Sequence, residues 1–174
     1  MADSNITKRA LGAAVKELLY EKTLDKISVG DICEKCDMNR KSFYYHFRDK
    51  YDLVNWIYDV EFIAVMGKKE YPAAWDLLQD ICVYFYENRS FYRMVLKTEG
   101  QNSFSEYFRE YFEPVFGRYL KEKGVEAQGL DFCVSFFTDA FLLSLESWLM
   151  DKNPPSPRDF LKGIRDSIGY LSAL

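Results

Sequence analysis

Apolar residues recur along this chain at the three-to-four spacing of helix faces, with no convincing run of strand alternation. The first face is Leu11, Ala14, Val15, Leu18 and Leu19, which predicts a helix over about 4–20 and a turn at Thr23, Leu24 and Asp25. A second helix starts at Ser28, whose S-x-x-D pairing with Asp31 is a capping box, flanked by Ile27 and Ile32 as a hydrophobic staple. It ends near Cys36, and Asp37 stands where the following turn needs a left-handed residue, a conformation Asp tolerates better than most. Asn39 is a good N-cap for a short third helix reaching about His46, with Met38 and Phe43 placed as its staple. Phe43 and Phe47 point inward together, and Arg40, Lys41, Tyr44, Tyr45 and Arg48 fall on the other side. Asp49 caps a long fourth helix continuing to about residue 66. Further helices are predicted at 73–87, 90–96, 103–123, 129–150 and 157–174, separated by breaks at 88–89, 100–102, 124–128 and 153–155. The helix over 103–123 should kink at Pro114 without stopping there, because its apolar stripe continues past the proline.

The fold class is therefore all-α: a three-helix head carrying a helix-turn-helix over 1–48, and an all-helical body over 49–174. The second helix of the pair exposes Arg40, Lys41, Tyr44 and Tyr45 together, types that suit guanine edges, phosphates, sugars and thymine methyl groups. A solvated bundle face is the plainer reading, but it has little use for paired aromatics. Ser28 and Ser42 sit in first turns of helices, where hydroxyls and free N–H groups meet phosphate.

Charge refines this reading. The net charge is -4, but residues 1–50 hold 10 Lys/Arg against 8 Asp/Glu, while the remainder holds 13 against 19. A head at +2 on a body at -6 binds DNA weakly alone, and two heads double the phosphate contacts, so a homodimer is expected. At 48% hydrophobic and 29% charged residues the chain is globular, without a run of about 18 uncharged apolar residues. Met1 to Asn5 lack the apolar core of a signal peptide, so a cytoplasmic location and no membrane partner are expected.

The stretch ISVGDICEKCDMNRKSFYYHFRDK, from Ile27 to Lys50, resembles the DNA-binding motif of the TetR family of regulators. S-V-x-D-I, N-R-K-S-F-Y-Y-H-F and the following Lys50 carry the likeness, and Ala13-Ala14 with Glu17-Leu18 fits the family's first helix. The resemblance implies that Ser28 and Ser42 contact phosphate and that Asn39, Arg40, Lys41 and Tyr44 lie in or beside the major groove of an operator duplex. It implies that Tyr45 and His46 touch the sugar–phosphate backbone, that Lys50 holds a phosphate, and that Phe43 and Phe47 are core. The chain departs from the family pattern at Asp37 and Thr23, where Gly is usual, and at Lys41, where a small residue is common. The run from Asn39 to Ile57 is also similar to the TetR branch related to the dihydroxyacetone-kinase activator, which implies activation through a protein partner as an alternative to effector-controlled repression.

The body is rich in rings: 12 of the 36 residues from Tyr84 to Tyr119 are aromatic. Core packing is the first reading of that stripe. A ligand pocket for a small-molecule effector is the second, with Phe85, Tyr107, Phe108, Tyr111, Phe112, Phe137 and Phe141 as candidate lining. The 129–150 helix is apolar almost all round, and with the last helix it is placed at a two-fold interface by the resemblance; Asp139 and Glu146 are pocket or rim carboxylates. Cys33 and Cys36 form a C-x-x-C with no second pair and one His in the chain, so no metal and no cofactor are expected and the thiols read as structural. No nucleophile elbow, phosphate loop or carboxylate pair points to an enzyme. A helical enzyme or scaffold with an incidental helix-turn-helix is the reading from a different class.

Overall fold

The computed structural model describes residues 2–96, 104–124 and 126–171, which are mostly helical with no strand among them. The break expected at 100–102 and the end of the last helix at 172–174 lie outside the described residues. The elements are α1 (Ala2–Leu18), a 3₁₀ turn (Leu24–Lys26), α2 (Val29–Lys35), α3 (Arg40–His46), α4 (Lys50–Tyr58), a π segment (Asp59–Ile63) and α5 (Ala64–Met66). They continue with α6 (Ala74–Glu87), α7 (Arg89–Val95), α8 (Phe104–Glu122), α9 (Ala127–Met150) and α10 (Pro157–Leu171).

The chain forms two compact units, one of Met1–Val65 with Ser90–Tyr107, the other of Met66–Arg89 with Phe108–Leu174. The spatial division thus departs from the one expected after residue 48. The reason is packing: α1 lies against α2, α3 and α4. Leu53, Val54 and Ile57 of α4 are fully buried with Leu11, Val15, Ile32 and Phe43, so the head has no complete core without α4. Helices α1 and α4 approach closely at Gly12, where a Cβ would stand 3.4 Å from both the Ile57 and Trp56 side chains. The fourth helix continues to Met66 as expected, but through a π turn. Tyr58 and Phe62 stack there at 4.8 Å in the same buried face, and Tyr107 bonds Asp59 through its hydroxyl.

In the second unit α6 packs against α10 and α9. Helix α8 runs unbroken through Pro114, so the proline's missing N–H is absorbed within one helix. Trp148 is sandwiched between Phe160, at 4.3 Å and nearly parallel, and Tyr86, at 5.5 Å. Its indole Nε1 donates to the Pro155 carbonyl at 2.9 Å. This cluster ties the end of α9, the 151–156 connection and the start of α10 into one packed corner.

Candidate nucleic-acid interface

The helix-turn-helix is built by local capping. The Ser28 hydroxyl accepts from the Asp31 N–H, while the Asp31 carboxylate accepts from the Ser28 N–H, so two otherwise orphan donors are satisfied. Lys22 adds an ion pair to Asp31 at 2.9 Å. The Ser28 backbone N–H first, then Lys22 and the Ser28 hydroxyl, hold the Asp31 carboxyl down at about 2. The sign follows from a lowered acid: its stabilising share is complete above the ordinary carboxylate value of 3.8 and is lost as pH falls through about 2. The melting temperature is therefore expected to fall on acidification between pH 5 and 2 for the wild type, and to fall less for Asp31→Asn.

The turn between the two helices places Asp37 at φ 52°, the left-handed region that glycine enters most easily and that this chain fills with aspartate. Thr23, the other departure from glycine, has φ -67° and needs no such freedom. Asn39 then caps α3, its side chain accepting from the Ser42 N–H at 2.8 Å. Phe43 is completely buried and Phe47 nearly so, which fixes the rotation of α3. Arg40, Lys41, Tyr44, Tyr45 and Arg48 consequently stand exposed, with Tyr44 58% and Tyr45 82% accessible. Ser28 and Asn39 are exposed at the two N-caps, Ser42 is half-buried, and the half-buried His46 ring sits edge-on to Tyr45 at 4.9 Å.

Lys50 is held by backbone carbonyls of its own chain. Its ammonium donates to the carbonyls of Leu24 at 2.7 Å, Asp25 at 3.0 Å and Ile27 at 2.9 Å, which uses all three of its N–H donors. Burial pulls its pKa down, against the upward pull of Asp25, Asp31 and Asp49. In this geometry it clasps the 3₁₀ turn to the start of α4. Lys8, which sequence reasoning passed over, stands beside the site with its ammonium 5.6 Å from the Phe47 ring centre and 5.9 Å from that of Trp56. Cys33 is buried, and the Cys36 thiol donates to the Ile32 carbonyl at 3.2 Å. Burial pushes both thiols up, away from the thiolate that reactivity needs.

The aromatic residues expected to line a ligand pocket pack as follows. Phe108 and Phe112 stack at 4.6 Å, Phe112 and Phe141 at 5.6 Å, and Phe85 meets Phe108 edge-on at 5.8 Å. These four are buried against one another. Tyr107 belongs to the other compact unit, where Asp59 satisfies its hydroxyl. Tyr111 and Phe137 are half-buried, Phe137 edge-on to the exposed Phe136. Asp139 is paired with Arg109 at 2.6 Å. An open groove of about 800 Å³ does run beside α8 and α9, over Pro114, Gly117, Leu130 and Val134, but it holds none of the seven expected residues.

Comparison with known proteins now bears on this geometry. Residues 11–57 match the bacterial regulatory proteins of the tetR family, and residues 74–169, more than half the chain, match a transcriptional regulator C-terminal region. The chain belongs to the TetR family. Among curated TetR relatives, the HTH-type dhaKLM operon transcriptional activator DhaS of Lactococcus lactis subsp. lactis (strain IL1403) is 28% identical over 96 residues, 55% of this chain and 51% of that protein. The chain thus spans about half the length of the curated relative it matches. Among solved structures, a TetR transcriptional regulator from Streptococcus agalactiae superposes with a TM-score of 0.71 at 24% identity, covering 92% of each chain. The dihydroxyacetone kinase operon activator DhaS superposes with a TM-score of 0.69 at 20% identity, covering 95% of this chain and 96% of that one. NalD of Pseudomonas aeruginosa, a secondary repressor of the MexAB-OprM multidrug efflux pump, gives 0.68 at 18% identity, over 98% and 97% of the two chains. At these identities the structural likenesses bear on the fold, which is the all-α TetR fold. The chain is a TetR-family transcriptional regulator, and binding to DNA is the family's function.

Proposed function

We propose that this regulator acts in the cytoplasm as a homodimer that binds an inverted-repeat operator, with α3 of each protomer in the major groove, and that it is not an enzyme. The observation that carries this reading is the split of α3 into a buried ring, Phe43, and an exposed set of Arg40, Lys41, Tyr44 and Tyr45. Arg40 and Lys41 reach base edges, and Tyr44 packs on sugars and thymine methyl groups. Ser28, Asn39, Ser42, Tyr45 and His46 position the head on the backbone. The dimer contact is an isologous pairing of α9 and α10. Its support is Phe132 at 76% exposure, Phe136 at 53% and Leu143 at 66%, more apolar surface than one protomer hides. Helix α9 is even long and apolar enough to span a membrane by length and composition, with only 39% of its most apolar window buried within the protomer.

The packed rings of Phe85, Phe108, Phe112 and Phe141 favour a second reading of the control step, in which a protein partner rather than a small effector in that core sets operator occupancy. The activator named among the relatives supports activation as its outcome, and the repressor NalD supports the opposite sign.

A duplex selected from a randomised pool tests the proposal. Arg40→Ala and Lys41→Ala are expected to cost about 1–3 kcal/mol each on that duplex and to relax discrimination at particular base pairs, symmetrically in two half-sites. Phe132→Glu should turn a sedimenting dimer into monomer. Wild-type affinity and base preference in both arginine and lysine variants would remove α3 from the reading role.

A further inference from the structure

Gly30 is the second residue of α2, in a helical backbone that any residue adopts. Alanine is better there by helix propensity, since glycine inside a helix costs conformational entropy for nothing in return. The return lies ten residues on. A Cβ at Gly30 would stand 2.5 Å from one terminal nitrogen of Arg40 and 3.3 Å from its Cζ and Nε. The Arg40 guanidinium therefore lies against the bare backbone of α2, in a shallow depression of about 360 Å³ shared with Ser28, Glu34 and Asn39. No methyl group fits between them, and the atom in the way is the end of a flexible side chain, so a methyl would displace the arginine and leave α2 intact.

We propose that Gly30 is a specificity-determining residue: the space left by its missing Cβ fixes the side from which the Arg40 guanidinium reaches the base pairs. This rests on the reading of α3 as the base-contacting helix. Bidentate recognition of guanine needs the guanidinium plane aligned with two acceptors, so a change in the approach side alters which base is preferred without touching the phosphate contacts.

The test compares Gly30→Ala, Arg40→Ala and the double variant of the full chain on the selected duplex and on copies changed one base pair at a time. Gly30→Ala is expected to melt at or above the wild-type temperature and to bind random duplex within about two-fold of wild type. It should lose about five-fold or more of the discrimination at the base pair that Arg40→Ala relaxes. In the Arg40→Ala background the same glycine change should have no further effect. Gly30→Ser, with its own small side chain, should shift discrimination in the same direction and guards against a folding defect peculiar to one variant. Unchanged discrimination in Gly30→Ala and Gly30→Ser, beside a clear loss in Arg40→Ala, overturns the inference and leaves the α3 reading standing. An additive effect in the double variant overturns it as well, since Gly30 would then act through α2 itself. Arg40→Ala without effect at any base pair removes the α3 reading and the inference with it.

Discussion

Lys50→Met is expected to destabilise the DNA-binding head by about 2–4 kcal/mol, and the defect should appear in melting before it appears in DNA affinity. The ammonium bridges three carbonyls, of Leu24, Asp25 and Ile27, at 2.7 to 3.0 Å. Hydrogen bonds to a charged donor are each worth about 1.5–3 kcal/mol, and the half-exposed position discounts their sum, because water can replace part of what is lost. Methionine keeps the aliphatic stem and removes only the charge and the donors. Arginine is no rescue: its planar fork cannot converge on three carbonyls set round one point. Urea unfolding followed by circular dichroism reads the loss, and the salt dependence of operator binding provides the contrast. A Lys50→Met protein that melts like wild type but loses about one unit of salt slope per head would restore the phosphate role and make the clasp incidental.

Lys50 also marks where the sequence stops being legible. Caps were readable because their partners lie three residues apart: Ser28 with Asp31, and Asn39 with the Ser42 N–H. The left-handed Asp37 and the inward pair Phe43 and Phe47 were readable for the same reason, since turn chemistry and helical periodicity are local. The direction of a lysine at a helix start is not local; its three acceptors lie 23 to 26 residues earlier in the chain. Gly30 looked like one more glycine, because its reason is the bulk of Arg40 on another helix. In the body, an i, i+3, i+4 stripe of rings is what both a pocket and a core require, so the stripe of Phe108 and Phe112 on α8 does not separate the two in the sequence. The compact units differ from a division at residue 48 because the pattern reveals where α4 starts but not that its Leu53, Val54 and Ile57 pack into the head.

Trp148→Ala is expected to cost about 3–5 kcal/mol. The indole is 4% exposed, stacked on Phe160 and Tyr86, and donates to the Pro155 carbonyl. Truncation leaves a cavity between two rings and an unpaired carbonyl at the corner where α9 passes to α10. Trp148→Phe separates the two contributions: it keeps a ring in the stack and loses the N–H, so about 1 kcal/mol plus a small packing loss is expected. Because the proposed dimer is made by α9 and α10, the alanine variant should also dissociate at concentrations where wild type is dimeric. Operator affinity should then fall far more than any contact at residue 148 could explain, since one head of charge +2 replaces two. Sedimentation and mobility shift on the same samples give the decisive pairing. A Trp148→Ala protein that is destabilised yet fully dimeric and fully operator-competent would uncouple this corner from the interface.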